Sequence, residues 1–199
     1  MAVNPTLRTL SGLPSVPASL AESILILVDM QNTYTGGVLE LEGAQAALDE
    51  GAALLERART AGIPVVHIQH DDGVGSLFDV TAESGAFVAR VAPRKDEPVV
   101  VKGYPNAFTE TELLALLSES SRRDLVIAGF MTHMCVNSTA RGAFSLGYRP
   151  TIVAGATATR ALPGLDDQVV SAAALQAASL ASITDMFGLV VPAATDLPD

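Results

Sequence analysis

Tryptophan is absent from this sequence, and cysteine occurs only once, at Cys135. A single cysteine cannot close an internal disulfide, which excludes a disulfide-stapled scaffold, and a free thiol favours a reducing, cytoplasmic location. Positive charge is also scarce, because 12 Lys and Arg residues stand against 22 Asp and Glu residues, for a net charge of −10. Such a surface repels phosphate backbones and anionic lipids, so neither a nucleic acid nor a membrane is an expected partner.

Long apolar runs are missing as well. The runs ILILV and LVIAGFM fall far short of the roughly 18 residues that a membrane-spanning helix needs, and segment 1–22 lacks the cationic and apolar regions of a signal peptide. Hydrophobic residues nevertheless make up 49% of the 199 positions, enough to fill the core of one domain. Segment 1–22, with its three spaced prolines, is predicted to be an extended arm, and residues 23–199 form the predicted domain.

From residue 23 onward, short apolar segments rich in β-branched residues alternate with longer segments of helical period. This alternation predicts an α/β fold in which helices cover both faces of a parallel sheet. Six strands are predicted, at 23–28, 64–69, 98–102, 124–129, 150–154 and 187–191.

Four helices are predicted between these strands. They cover 44–58, a leucine-rich segment from 113, a segment that begins at Cys135, and an Ala-rich segment at 166–183. Gly62 stands where the first helix would need a C-terminal cap. Thr109 and Glu112 have the spacing of a capping box, so the second helix is expected to begin there.

Three chemically capable residues follow predicted strands. Asp29 ends ILILVD, Lys102 ends PVVVK, and Cys135 lies just after VIAGFMTHM. In an open parallel sheet, the loops after neighbouring strands converge on one crevice, so we expect these side chains to meet. Each alone has a purely structural explanation: Cys135 as a small buried hydrophobe, Asp29 as a turn residue and Lys102 as a solvated strand end. Together they supply a nucleophile, an acid–base group and a cation.

This combination suits hydrolysis of an amide or a related C–N bond. A thiol becomes a strong nucleophile where a cation and a helix N-terminus favour the thiolate, and Lys102 and the turn at Cys135 are expected to supply both. Asp29 would take the thiol proton and return it to the leaving amine. Backbone N–H groups of the GFMTHMC turn would hold the oxyanion, so the predicted reaction passes through a thioester.

The sequence resembles the isochorismatase-like cysteine hydrolases, a superfamily that includes nicotinamidases, N-carbamoylsarcosine amidohydrolases and ureidoacrylate amidohydrolases. The matching segments, within 23–192, are LILVDMQNTYTGG, PVVHIQHDDG, EPVVVKGYPNAFTETEL and IAGFMTHMCVNSTARGAFSLGY. The resemblance implies a three-layer α-β-α Rossmann-like sandwich whose six parallel strands are ordered 3-2-1-4-5-6. It also carries the family's Asp-Lys-Cys triad onto Asp29, Lys102 and Cys135.

The same resemblance implies two backbone features. Relatives have a cis peptide bond before the T-x-x-C motif, here the Phe130–Met131 bond, and oxyanion donors that correspond here to the amides of Met131 and Cys135.

The presence of Cys135 distinguishes two activities found in the superfamily, hydrolysis of C–N bonds and cleavage of an enol ether. The isochorismatases proper, which cleave an enol ether, lack this nucleophile in well-known members. The thiol favours the hydrolases of C–N bonds, and vinyl-ether cleavage by Asp29 and Lys102, with release of pyruvate, is the alternative.

The loop after the second strand departs from the nicotinamidase pattern. Nicotinamidases bind a metal there through an Asp and paired histidines, whereas QHDDGVGSLFD offers only His70 with Asp71 and Asp72. A single His beside a strand end more often makes hydrogen bonds, so no metal and no other cofactor is expected. The usual phosphate-binding glycine motifs are also absent, which argues against a nucleotide-binding module. A catalytically silent small-molecule-binding α/β module is the alternative from another class.

Several side chains in or beside the strand-end loops are candidate walls of a substrate pocket. They are Gln31, Tyr34, Phe78, Tyr104, Phe108, Phe130 and His133. Gln31 is expected either to orient Asp29 or to satisfy the turn backbone. A carboxylate-bearing small-molecule substrate would need a cation, for which Arg90, Arg94 and Arg160 are equal candidates. The resemblance also implies a homo-oligomer, either a dimer or a tetramer.

Overall fold

A computed structural model describes residues 4–165 and 168–199 and contains one parallel sheet of six strands. The strands are β1 (Ser23–Val28), β2 (Val65–His70), β3 (Val99–Lys102), β4 (Asp124–Phe130), β5 (Arg149–Ala158) and β6 (Leu189–Val191). Their order across the sheet is β3-β2-β1-β4-β5-β6, and every neighbouring pair is parallel. The predicted strands and their order are therefore confirmed.

Five α-helices occur in the part of the chain that the structure describes. They are α1 (Leu7–Leu10), α2 (Ala44–Thr60), α3 (Leu113–Ser118), α4 (Asn137–Ser145) and α5 (Ala172–Ser182), with π-helical turns at Thr132–Val136 and Ile183–Phe187. Gly62 follows the end of α2 with a left-handed φ of 65°, the conformation expected of a glycine that ends a helix. None of these helices is long and apolar enough to cross a bilayer.

Both faces of the sheet are buried, which explains why β1 is apolar at successive positions. Leu25 and Leu27 pack in the core that contains α2 residues, whereas Ile24 and Ile26 pack in the opposite core with residues of α3 and α4. Burial of each such side chain stabilises the fold by about 1.5–3 kcal/mol. The two cores hold the sheet rigidly between its helical layers and so fix the loops at its carboxyl edge.

The predicted start of the last helix is wrong. Positions 166–167 lie outside the described residues, and Val169–Val170 pairs antiparallel with Leu162–Pro163 instead of entering a helix. The helix begins at Ala172, where the Ser171 side chain accepts a hydrogen bond from the Ala174 N–H. A serine cap and β-branched valines thus outweigh the helix propensity of the surrounding sequence.

The predicted capping box at Thr109 and Glu112 is also wrong. The helix α3 begins at Leu113, whose N–H donates to Thr111 Oγ1 at 3.3 Å. The preceding loop is tied elsewhere, because the Ala107 N–H donates to Thr139 Oγ1 in α4 at 3.1 Å. This tertiary hydrogen bond holds the loop against α4 and delays the start of the helix.

Residues 4–22 lie outside the sheet and contain the helical turn α1 and a 3₁₀ turn at Leu20–Glu22. The Arg8 guanidinium donates hydrogen bonds to the carbonyl oxygens of Pro14, at 2.7 Å, and Met186, at 3.2 Å. This part of the predicted arm is therefore fastened to the π-helical turn at the end of α5.

Candidate active site

The ends of three strands bring a carboxylate, an ammonium and a thiol together. Lys102 Nζ lies 2.7 Å from Asp29 Oδ2 and 3.3 Å from Cys135 Sγ. The side chains of Asp29 and Lys102 are fully buried, and Cys135 is only 4% exposed. The convergence follows from topology, since β1 and β4 are neighbours at the centre of the sheet and all strands run in one direction.

The approach of β1 to β4 depends on a glycine. Gly129 has a φ of 124°, and a Cβ atom there would clash with the backbone of Val28, the residue before Asp29. Asp29 itself has a φ of 50°, in the left-handed region that non-glycine residues rarely adopt. Strain of this kind, of order 1–3 kcal/mol, persists where the surrounding structure determines the backbone direction.

Cys135 lies within the π-helical turn Thr132–Val136, and α4 begins two residues later at Asn137. The prediction that a regular helix begins at Cys135 is therefore wrong, because the first turn is wider than an α-helical one. The Phe130–Met131 peptide bond before this turn is cis, as the resemblance implied.

The electrostatics of the site differ from expectation at the thiol. Burial, together with the carboxylate of Asp29, raises the pKa of Cys135 to about 12, and Lys102 only partly opposes this rise. Burial also raises the pKa of Asp29, again against the effect of Lys102. Burial and Asp29 therefore oppose the thiolate that the sequence predicts, and burial makes the nearby carboxylate a stronger base than an exposed one.

Aromatic side chains pack beside this trio. The Tyr34 ring is buried and lies 5.6 Å from the Phe78 ring and 5.7 Å from the Phe130 ring, measured between centroids. Phe78 also meets the His70 ring edge-on at 4.7 Å, and His70 Nδ1 in turn lies 2.9 Å from Lys102 Nζ. Three of the predicted pocket residues therefore form one aromatic cluster that adjoins the lysine.

The other two predicted pocket aromatics, Phe108 and Tyr104, have different surroundings. Phe108 stacks on Tyr148 with centroids 6.2 Å apart and packs against the core beneath α3 and α4. Phe108 therefore packs against the same core that contains Cys135. Tyr104 is 48% exposed.

Gln31 is a backbone clamp. Its Nε2 donates to the carbonyls of His70 and Gly85, at 2.9 Å and 2.8 Å, and its Oε1 accepts from the His70 N–H at 2.9 Å. Of the two roles expected for Gln31, the structure therefore shows satisfaction of the backbone. The clamp joins the end of β2 to the turn that carries Asp29.

His133 and Arg160 mark the side of the site next to β5. His133 Nδ1 lies 2.6 Å from Thr159 Oγ1, and burial, with a contribution from Arg160, lowers the pKa of His133. The charge of Arg160 also opposes the rise that burial causes in the pKa of Tyr34. The charge of Arg160 therefore acts on two of the predicted pocket residues.

The sequence places His70, Asp71 and Asp72 in the loop where nicotinamidases bind their metal. Among residues 4–165 and 168–199, no group of three or more His, Cys, Asp or Glu side chains is arranged to hold a metal ion. His70 Nδ1 instead faces Lys102, and His70 Nε2 lies 2.9 Å from Asp72 Oδ1. Sequence reasoning missed the contact with Lys102, although His70 and Lys102 end adjacent parallel strands and are paired in register.

The fold and the site together define a doubly wound α/β protein with a buried thiol, carboxylate and ammonium at the carboxyl edge of its sheet. The family model described as the isochorismatase domain matches residues 23–195. The chain therefore belongs to the isochorismatase family, and it is a hydrolase.

Individual relatives cover most of the chain. The secreted isochorismatase effector Isc1 of Verticillium dahliae is 33% identical over 92% of this chain and 95% of its own length. The ureidoacrylate amidohydrolase RutB of Variovorax paradoxus is 32% identical over 89% of this chain and 82% of its own. Among solved structures, the crystal structure of an isochorismatase from Pseudomonas putida is 38% identical and superposes with a TM-score of 0.94, over 98% of this chain and 100% of that one.

Proposed function

We propose that this chain is a metal-independent cysteine hydrolase that cleaves an amide, ureido or lactam-like C–N bond of a small molecule. The observation that carries the proposal is the position of one buried ammonium, Lys102, within 2.7 Å of the Asp29 carboxylate and 3.3 Å of the Cys135 sulfur. A relative named as an amidohydrolase supports the type of bond. Both ring nitrogens of His70 already have hydrogen-bonding partners, which supports a site that needs no metal.

In the proposed reaction, Cys135 Sγ attacks the substrate carbonyl carbon while its proton moves to Asp29. The raised pKa values of Cys135 and Asp29 support this division of labour, because burial disfavours the thiolate and strengthens Asp29 as a base. Lys102 stabilises negative charge on both partners as the proton moves. The amides of Met131 and Cys135 would receive the oxyanion of the tetrahedral intermediate.

Collapse of that intermediate breaks the C–N bond, and Asp29 returns its proton to the leaving nitrogen. A water molecule then attacks the thioester, with Asp29 again accepting a proton. The second tetrahedral intermediate releases the acid and restores the protonated sulfur. Because one carboxylate serves both half-reactions, replacement of Asp29 should block acylation and deacylation alike.

We further propose that Arg160 holds an anionic group of the substrate. The other two candidate arginines form ion pairs with acidic residues of α2. Arg90 pairs with Asp49 at 3.1 Å, and Arg94 pairs with Glu56 at 3.6 Å. Arg160, by contrast, lies near the pocket residues and has a buried Nε without a hydrogen-bond partner among the described residues. This favours a substrate that carries a carboxylate.

The test is an assay of purified protein, with and without a chelator, against small carboxamides, ureido acids and isochorismate, with ammonia and pyruvate as products. Ammonia release that survives chelation and disappears in Cys135→Ala supports the thiol mechanism. Ammonia release that persists in Cys135→Ala overturns it. Pyruvate from isochorismate in both proteins would establish the vinyl-ether alternative, and silence toward every compound would favour a binding module.

A pair of arginine variants tests the substrate class. Arg160→Gln should raise KM for a ureido acid roughly tenfold or more and leave a neutral carboxamide unaffected, since hydrogen bonds to charged groups are worth about 1.5–3 kcal/mol. Arg94→Gln is the matched control and should change neither. Equal effects on both substrates would contradict the role of Arg160.

The lone free thiol also leads us to propose a cytoplasmic location, which cell fractionation would check.

A further inference from the structure

The Lys102 ammonium has three acceptors around it, of which the triad accounts for only two. Nζ lies 2.7 Å from Asp29 Oδ2, 3.3 Å from Cys135 Sγ and 2.9 Å from His70 Nδ1. An ammonium carries three N–H donors and no acceptor. The contacts with His70 and Cys135 are hydrogen bonds, whereas the contact with Asp29 is an ion pair. The lysine side chain is fully buried, and a donor left without an acceptor there would be costly.

These contacts determine the tautomer of His70. Because Lys102 can only donate, His70 Nδ1 must be an unprotonated acceptor in that hydrogen bond. The ring hydrogen is therefore on Nε2, which donates to Asp72 Oδ1 at 2.9 Å. When a carboxylate accepts a hydrogen bond from one ring nitrogen of a histidine, it keeps the proton on that nitrogen and leaves the other nitrogen as an acceptor.

The position of the His70 ring is fixed from three further directions. Gln31 binds both the N–H and the carbonyl of His70 at 2.9 Å, and Phe78 packs edge-on against its ring at 4.7 Å. The backbone of His70 is paired in register with that of Lys102 across β2 and β3. The acceptor is thus held rigidly beside the ammonium that it faces.

We propose that His70 is a positioning residue, which, oriented by Asp72, accepts a hydrogen bond from Lys102 and so keeps the ammonium directed at the Cys135 sulfur. This inference rests on the proposed function. Without that acceptor, the ammonium turns toward Asp29, its stronger partner, and the sulfur loses its stabilising charge. The predicted consequence is a less reactive thiol in a protein that still folds.

The thiol can be tested without knowing the substrate, because Cys135 is the only cysteine in the chain. The rate of alkylation by iodoacetamide is measured by mass for three proteins: wild type, His70→Leu and His70→Asn. Leucine and asparagine have similar size, but only asparagine places an oxygen acceptor near the former Nδ1. We expect His70→Leu to slow alkylation roughly tenfold or more, in line with the loss of a charge-assisted hydrogen bond, and His70→Asn to restore most of the rate.

A second pair of variants covers the case in which His70→Leu does not fold. Asp72 is half-exposed, so Asp72→Ala and Asp72→Asn should fold. If Asp72 acted only through its negative charge, alkylation would be faster in both variants. If Asp72 acts as the acceptor that orients His70, alkylation should be slower in Asp72→Ala only. Equal or faster alkylation in Asp72→Ala, or unchanged alkylation in folded His70→Leu, overturns the proposal.

Hydrolysis kinetics then separate this proposal from the proposed function. On any substrate that the wild type turns over, His70→Leu should lower kcat with little change in KM, and His70→Asn should recover kcat. If Cys135→Ala keeps its activity, the cysteine mechanism fails, and the alkylation rates still decide whether His70 positions Lys102. A change in KM alone would contradict the positioning role.

Discussion

Removal of the Lys102 charge should destabilise the protein strongly, and the structure sets the scale. Lys102 and Asp29 form an ion pair with a 2.7 Å contact and no exposure of either side chain. Breaking a buried pair by removing one partner costs about 3–5 kcal/mol, because the other charge is left unpaired away from water. That amount is a large share of the roughly 5–15 kcal/mol that stabilises a typical domain. Lys102→Met should therefore lose about 3–5 kcal/mol of unfolding free energy.

Urea unfolding at neutral pH measures this loss, with two controls. The double variant Asp29→Asn with Lys102→Met removes both charges and should regain most of the stability. Arg90→Met removes one partner of the exposed pair with Asp49, whose side chains are 37% and 73% exposed, and should cost less than about 1 kcal/mol. A Lys102→Met variant as stable as Arg90→Met would refute the reasoning.

The loss in Lys102→Met should also depend on pH. Burial raises the folded-state pKa of Asp29, and without Lys102 nothing comparable opposes that rise. A raised pKa in the folded state means that protonation favours folding, so this stability is present at low pH and is lost as pH rises. The variant should be closer to wild type at about pH 5 than at about pH 8. A deficit that stays constant across this range would contradict a charge-based explanation.

Further predictions concern the backbone and a second ion pair. Gly129→Ala should cost more than about 4 kcal/mol or abolish soluble folding, since its Cβ would clash with backbone at a φ of 124°. Gly147→Ala, at a φ of 85° with open space around it, should cost only about 1–2 kcal/mol in the same urea assay. A hydrogen bond from Arg59 is the main cause that lowers the pKa of Glu97 to about 2, from about 4.3 for an ordinary glutamate. A lowered pKa contributes stability that is lost as pH falls, so wild type should lose about 3 kcal/mol between those two values and Glu97→Gln should not. A Glu97→Gln protein with the wild-type acid profile would contradict this.

Strand prediction succeeded where the signal was local and redundant. The segment 23–28 is apolar at every position but the first because both of its faces are buried, and that pattern suffices to identify a central parallel strand. Prediction failed where a distant contact decided the outcome. Thr109 has the right spacing for a cap, but the hydrogen bond from Ala107 to Thr139 holds its loop away from the helix.

The candidate site divides in the same way. Asp29, Lys102 and Cys135 were identifiable from sequence because each follows a strand inside a recognisable motif, and parallel strands deliver their ends to one edge of the sheet. The raised pKa of the Cys135 thiol could not be predicted from sequence, since a pKa depends on burial and on charges that the fold brings within a few ångströms. The role of His70 was likewise invisible until its ring nitrogens had partners.

The sequence by itself determined the α/β class, the positions of the six strands and three residues at the carboxyl edge of the sheet, because periodicity and strand-end chemistry are properties of short segments. The tertiary structure alone decided that Lys102 contacts Asp29, Cys135 and His70 and that Gln31 binds the backbone of His70 and Gly85. Those facts depend on atoms far apart along the chain and close in space, where distances of 2.7 Å to 3.3 Å set hydrogen bonding and charge. Short sequence patterns therefore specify the secondary-structure elements, whereas tertiary packing determines the distances and charges on which the chemistry of the site depends.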